Sequence, residues 1–436
     1  MNVQEINARA GVTVVIADAY PNFSICGLPF FLSGEVAEWQ SLAHHSIEEF
    51  EQQGIRLLLN HRAEAILPAQ KTVRIISSEG QVTELPYDRL LIATGAEPSR
   101  PPIEGLKEHG VFFLRWMADG FALRDFIEHE KPRRAIIIGG GYIGLEMADS
   151  LSKRGIELTL LEFTPEVLTT MDPNLGRLIR NELESRNIRV LTGRAVQSIE
   201  RRDGELLVHA KTGEAETADL VLAATGVRAS TSLAQSAGIA LGVAGAIRVG
   251  RTMATGADDI WAAGDCVETW HRILGINVYM PLGTTAHKQG RTAGENMAGG
   301  HCEFQGTLGT QTVKVFDLIA AGTGLRDRDA VKAGFDPLTV DLAVPDRNTY
   351  HPGTREMHIN ITGDRRSGRL LGAQIVGHHC SEVSKRIDVI ATALYQNMPV
   401  ESLNDIDLSY SPPLSSPWDP LQKAAMQWCA AVKNQS

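Results

Sequence analysis

The hydrophobic positions of this chain fall into short unbroken runs, each closed by a glycine. Residues 12–16, VTVVI, are β-branched throughout, which predicts a strand buried in a parallel sheet. RLLIATGA (89–96) predicts a second such strand, ended by Thr94-Gly95. The proline-rich AEPSRPPIEG that follows excludes regular structure, and a helix is expected over 117–130. Residues 134–162, RAIIIGGGYIGLEMADSLSKRGIELTLLE, predict strand, glycine-rich turn, helix and strand, the clearest βαβ unit in the chain. ADLVLAATGVR (218–228) repeats the strand that ends in Thr-Gly, and DIWAAGD (259–265) predicts another with a Gly-Asp end. The two Ala-Thr-Gly strand ends suggest two related nucleotide-binding folds. From Gly309 the pattern changes: REMHINIT and LLGAQIVG predict neighbouring antiparallel strands, with a helix from about 381 to 396.

Composition narrows the function. At 436 residues the chain holds two or three domains with substantial cores. A net charge of −10 argues against nucleic acid or an anionic membrane as the main partner, leaving small molecules and proteins. The five cysteines (Cys26, Cys266, Cys302, Cys380 and Cys429) are widely spaced without a CxxC pair. That spacing speaks against a disulfide scaffold or a metal site and fits a reducing compartment. With no signal-type apolar core and no run long enough to span a membrane, a soluble, cytoplasmic protein is expected.

Gly139, Gly141 and Gly144 form G-x-G-x-x-G between the strand and the helix that Tyr142 and Ile143 open. Gly139 serves the tight turn, Gly141 lets a pyrophosphate approach the backbone, and Gly144 lets helix pack on strand. The phosphates then meet the positive end of the helix dipole. Glu162, the acid at the end of the second strand, would accept hydrogen bonds from ribose hydroxyls and repel a 2′-phosphate. Phe163, Thr164 and Pro165 supply no cation for one, so NADH is expected over NADPH.

Several ordered motifs then resemble the flavin-dependent pyridine-nucleotide disulfide oxidoreductases. They are YPNFSICGLPFF, LLIATGAEPSRPPIEG, IIIGGGYIGLEMA, LAATGVR, DIWAAGDC, PLGTTAHKQGRTAGEN and DLSYSPPLSSPWDP. More narrowly the chain is similar to the single-cysteine branch: coenzyme A-disulfide reductase, NADH oxidase and NADH peroxidase. The resemblance implies an α/β architecture of two Rossmann-like domains and an α+β C-terminal domain that forms a homodimer. The expected boundaries are 1–112 and 242–308 for an FAD domain split in sequence, 113–241 for an inserted NAD domain, and 309–436 for dimerisation.

In that family the lone cysteine, here Cys26, lies beside the flavin ring. It cycles between thiolate and either a mixed disulfide with substrate or a sulfenic acid. Gly27-Leu28-Pro29 predicts a helix start, whose positive end would favour thiolate at neutral pH; the plainer reading of Cys26 is a small buried apolar residue. Gly264-Asp265 matches the pair that holds the ribityl chain, although Asp265 could also cap a helix. Thr94-Gly95 matches the crossover between domains, and Gly226 ends the second such strand. Asp18 is the expected ribose ligand after the first strand. Tyr410 matches a tyrosine that reaches the partner's cysteine region, His287 and Tyr350 are candidates to touch substrate, and both Tyr410 and His287 have purely structural alternatives.

Departures from the branch are specific. Coenzyme A-disulfide reductases carry Ser and Asn where this chain has Asn22 and Ile25, and a lysine where it has Trp418. Asn22 keeps the capacity to hydrogen-bond substrate. The family also begins with a strand and glycine turn for FAD, of which NVQEIN resembles only the trailing helix. Roughly 20 residues of a βαβ unit are therefore expected to precede this start. The leading reading is an FAD-dependent, NADH-oxidising enzyme that reduces a small disulfide or persulfide through Cys26. An oxidase or peroxidase consuming oxygen or peroxide is the alternative, and a flavin-free dinucleotide-binding remnant is the alternative of another class.

Overall fold

The first apolar run folds as the strand Val12–Val15 (β1), paired in parallel with Ile55–Leu58 (β2) in a computed structural model that describes residues 10–435. β1 is less buried than its sequence predicts, with Val14 37% exposed. Among the described residues only one edge of β1 is paired, with β2. NVQEIN lies outside those residues. Between β1 and β2 sits a short helix, Leu28–Ser33 (α1). The second apolar run gives Leu90–Ile92 (β3), which pairs in parallel with the strand Ile260–Ala262 and not with β1. A three-stranded antiparallel meander, His61–Leu67, Thr72–Ser77 and Val82–Pro86, packs nearby.

The βαβ unit behaves as its pattern predicts. Val111–Phe112 (β4), Arg134–Ile138 (β5), Glu157–Leu161 (β6), Arg189–Leu191 (β7) and Leu220–Ala223 (β8) form one parallel sheet in the order β7-β6-β5-β8-β4. Alternation along β5 assigns its two faces. Ala135 and Ile137 join the helices Met117–Glu130, Tyr142–Lys153 and Pro173–Ser185 in one apolar core. Ile136 and Ile138 face a core built with Ile199, Leu206 and Val208 of an antiparallel meander. The sheet is therefore helix-covered on one face and strand-covered on the other. The α1 residues Leu28, Phe31 and Leu32 are buried in the first of these cores, which anchors the segment carrying Cys26.

The C-terminal segment is a five-stranded antiparallel sheet in the spatial order Gln311–Val315, Leu318–Gly324, Leu370–His378, Glu356–Asp364, Pro337–Pro345. The two predicted strands are indeed neighbours, with Ile359 opposite Ile375. Helices Val383–Tyr395 and Pro420–Gln435 supply Ile387, Ile390, Leu421 and Trp428 to its core. Arg386 ties this region together. Its buried guanidinium ion-pairs with Asp419 (3.2 Å) and donates to the carbonyls of Ser381, Asp346 (3.0 Å) and Leu414 (3.3 Å). Among the described residues no helix is long and apolar enough to cross a membrane.

Candidate functional site

At the end of β5 the chain turns through Gly139 with φ +109°, where a Cβ would stand 2.4 Å from the Ala224 carbonyl oxygen. A Cβ on Gly144 would lie 1.9 Å from the Gly139 carbonyl oxygen, so the helix meets the strand end this closely only because Gly144 lacks a side chain. Gly141 differs. It has extended backbone and open space where its Cβ would be, and no side chain caps the helix it precedes. The leading N–H groups of that helix thus face an open cradle, which fits a dinucleotide pyrophosphate. Gly226, with φ +90°, also borders open space.

Glu162 is buried beneath this turn. Its carboxylate accepts from the Gly140 N–H (2.6 Å), the Thr164 N–H (2.8 Å) and the Thr164 hydroxyl (2.7 Å). The expected ribose acceptor is therefore also the brace that shapes the glycine turn, a task not visible in the sequence. Tyr142 is enclosed enough that burial pushes its phenol up to about 12, and it accepts a hydrogen bond from Thr170 (3.1 Å). Ile143 packs against the adjoining core.

Cys26 lies in a 3₁₀ turn, Ile25–Gly27, directly before α1, whose N-cap is Gly27 and whose second residue is Pro29. The predicted helix start is present. Partial loss of hydration pushes its thiol up, then Glu146 and Asp265, with Arg115 opposing them, so the surroundings work against the expected thiolate. Six residues of helix supply too little dipole to reverse this. Cys26 nonetheless remains open to solvent.

The charges around the sulfur define the site. The Arg115 guanidinium and the Asp265 carboxylate form an ion pair at 2.9 Å, with side chains only 12% and 17% exposed. Among the described residues the buried Nε–H of Arg115 has no partner, a donor available to a bound acceptor. A Cβ on Gly95 would stand 3.7 Å from this guanidinium. Gly264, with φ +88°, donates its N–H to Gln289 (3.0 Å). No helix follows Asp265, so the capping alternative falls away. An orphaned donor, a paired carboxylate and two bare glycines suit an extended polar cofactor such as FAD.

Glu146, one turn beyond Tyr142, is held up to about 7 by burial and lies within the field of Cys26. Sequence reading missed it, although a lone acid in YIGLEMA is a usable signal. Arg115 was also missed and has no comparable signal, because its partner lies 150 residues away.

The remaining predicted residues are more dispersed. Thr94 donates its hydroxyl to the Ser230 carbonyl (2.6 Å), a tie between the two crossing strands. Asp18 follows β1 and accepts from the Ala19 N–H (2.7 Å). Asn22 accepts from the N–H groups of His44 (2.8 Å) and His45 (3.1 Å) and donates to the His45 carbonyl (2.6 Å). Its amide is thus largely spent on a loop, leaving one N–H for the expected substrate contact. His287 is exposed on the helix Gly283–Met297. Asn348 donates to the phenols of Tyr410 (2.9 Å) and Tyr350 (3.3 Å), joining two exposed tyrosines. Among the described residues neither tyrosine makes a hydrogen bond or ring contact with Cys26.

Residues 4–290 match the pyridine nucleotide-disulphide oxidoreductase family model and residues 310–420 match the dimerisation domain of that family. The NAD(P)H sulfur oxidoreductase (CoA-dependent) of Pyrococcus abyssi is 34% identical over 421 residues, 96% of this chain and 92% of the relative. The solved NAD-dependent persulfide reductase from A. fulgidus superposes with a TM-score of 0.95 at 35% identity, covering 99% of this chain and 80% of that one. The water-forming NADH oxidase from Lactobacillus brevis bound to NADH gives a TM-score of 0.94 at 25% identity, covering 99% and 95%. Glycine turn, Asp265 strand end, C-terminal sheet and these matches agree, and the chain belongs to the pyridine nucleotide-disulphide oxidoreductase family.

Proposed function

We propose that this protein is an FAD-dependent NADH:disulfide or persulfide oxidoreductase working through Cys26. The observation carrying this is the meeting of Cys26, Glu146, Arg115 and Asp265 at one pole, with the dinucleotide turn on the helix that bears Glu146. A bound flavin supplies the two-electron relay between dihydronicotinamide and sulfur. The protein's own groups do the rest. The glycine turn takes the pyrophosphate, Glu162 braces that turn, and Asp265 with Arg115 offers an acceptor and a donor to the flavin's polar chain. Gly95, Gly226 and Asp18 border the nucleotide regions.

Chemistry at sulfur balances simply. Cys26, as thiolate, attacks R–S–S–R′; one thiol leaves with a proton and a mixed disulfide remains on Cys26. Two electrons and a proton, ultimately from NADH and solvent, then release the second thiol and restore Cys26. Glu146, with its proton affinity near neutrality, can hold the proton that Cys26 gives up. The tyrosine pair joined by Asn348 is open for contact with a second subunit, where Tyr410 would protonate a leaving thiolate. His287 and Tyr350 would border the substrate.

NADH is the proposed reductant, because Glu162 offers a carboxylate and residues 163–165 offer no cation to a 2′-phosphate. The likeness to a persulfide reductase and a sulfur oxidoreductase supports the sulfur reading. Likeness to an NADH oxidase supports the alternative, in which Cys26 cycles through sulfenic acid. The test is anaerobic NADH oxidation by wild type and Cys26→Ser with small disulfides, coenzyme A disulfide and persulfides as acceptors. The serine variant should lose at least about a hundredfold in turnover while keeping its flavin. Undiminished turnover removes Cys26 from the mechanism, and stoichiometric oxygen or peroxide consumption without disulfide reduction selects the oxidase reading.

A further inference from the structure

The loop that joins β6 to the helix Pro173–Ser185 runs from the glycine turn to the C-terminal sheet. Its first half grips the turn. The Leu168 N–H donates to the Gly140 carbonyl (2.8 Å), while the Gly140 N–H donates to Glu162, so Gly140 is held through both of its backbone groups. Val167 and Leu168 are buried, and a Cβ on Gly140 would stand 2.9 Å from Val167 Cγ1. The Thr170 hydroxyl donates to the phenol of Tyr142, the first residue of the helix whose N–H groups face the cradle. Leu168 keeps a φ of +51°, a conformation that a bulky side chain holds only where its surroundings impose it.

The second half is gripped by the segment that matches the dimerisation domain. Arg326, between the strand Leu318–Gly324 and the short helix Asp327–Lys332, donates from Nη1 to the carbonyls of Thr169 (2.7 Å) and Met171 (3.3 Å). Its Nε donates to Asp329 (3.0 Å), which aims the guanidinium, and the side chain is only 15% exposed. Two buried amides of the sheet, Asn360 and Gln374, donate to the Asp172 carboxylate (3.0 and 2.6 Å), and Gln374 accepts the Asp172 N–H (2.6 Å). Burial pushes the Tyr142 phenol up, and the Thr170 hydroxyl and the Arg326 charge oppose it, so the guanidinium acts within reach of the turn.

We propose that Arg326 is a positioning residue for the dinucleotide. It fixes the carbonyls of Thr169 and Met171, and the loop passes that restraint to Gly140 through Leu168 and to Tyr142 through Thr170. The inference rests on the reading of the glycine turn as the NADH site. A cradle of backbone N–H groups binds a pyrophosphate well only while those groups converge, and a loop released at one end lets them diverge. Binding of the dinucleotide should therefore suffer, while electron transfer from a saturated site should not. The restraint crosses from one segment to the other through contiguous hydrogen bonds, so it can be cut at either end.

The experiment uses the flavin-loaded full chain. Affinity for NAD⁺ is measured by calorimetry, and KM and kcat for NADH are measured anaerobically with ferricyanide taking electrons from the reduced flavin. Arg326→Ala should weaken NAD⁺ binding and raise KM by about three- to tenfold, with kcat within about a factor of two. Thr170→Val should shift both in the same direction. The double variant should lose less than the product of the two single effects, because both act through one loop. Arg326→Lys keeps the charge without the planar fork and should show a smaller loss of the same kind, which keeps the test open if the alanine variant folds poorly. Arg366→Ala, which loses a contact to the Gly334 carbonyl in the same C-terminal segment, should change neither quantity. Unchanged NAD⁺ affinity in both Arg326 variants overturns the proposal, as does a fully multiplicative double variant or an equal loss in Arg366→Ala. Wild type that binds neither NAD⁺ nor NADH overturns the dinucleotide reading itself, and this inference with it. Melting temperature and flavin absorbance confirm that each variant is folded.

Discussion

Glu146 sits one helical turn past Tyr142, where burial raises its carboxyl to about 7 from an ordinary 4.5. The folded protein therefore holds this proton more tightly than the unfolded chain does. The penalty for burying the charge is absent below about pH 4.5 and fully present above about pH 7, so stability falls as pH rises through that window. Glu146→Gln should raise the melting temperature by a few degrees at about pH 8, with the gain closing toward pH 5. The same carboxylate pushes the Cys26 thiol up. The glutamine variant should then alkylate at Cys26 with iodoacetamide at lower pH than wild type. An unchanged alkylation profile would separate the two groups. Glu146 was visible in the sequence only as an oddity, an acid among apolar neighbours. The charge balance at Cys26 was not visible at all, because Arg115 and Asp265 reach it from distant segments.

The glycine turn is the element whose geometry was most legible, since spacing along one strand and one helix encodes it. Gly144 and Gly141 make separable predictions. Gly144→Ala drives a methyl into the Gly139 carbonyl, with only 1.9 Å between them, and should lower both melting temperature and NADH affinity. Gly141→Ala meets no protein atom, so the fold should hold while KM for NADH rises about tenfold or more as the methyl blocks the phosphate. Comparing thermal melts with KM distinguishes them, and a destabilised Gly141→Ala variant would contradict the open cradle. Strand pairing was less legible than strand existence. VTVVI reads as a strand buried on both faces, yet among the described residues β1 pairs only with β2, because hydrophobicity reports the propensity of a run and not the number of its neighbours. The covering of one sheet face by a meander was equally hidden. Asn22 illustrates the same limit for a site residue: only the folded loop shows that its amide is already engaged.

At the scale of the molecule the C-terminal sheet is the part most dependent on long-range contacts, and a dimer through it is the proposed assembly. Sequence marked two of its five strands and one of its helices but not the hub at Arg386, whose partners Asp346, Ser381, Leu414 and Asp419 lie in three stretches of chain. Replacing that residue by methionine leaves the buried Asp419 carboxylate without its cation. Loss of one partner of a buried pair costs about 3–5 kcal/mol. A lowered melting temperature, and a lower dimer fraction in sedimentation, are the expected results. The hub also joins Asp346, two residues before Asn348, to Leu414, four residues after Tyr410. Heating should therefore not detach the tyrosine pair as an early, isolated event. Loss of turnover and undocking of the last helix should instead arrive together, at one inactivation temperature.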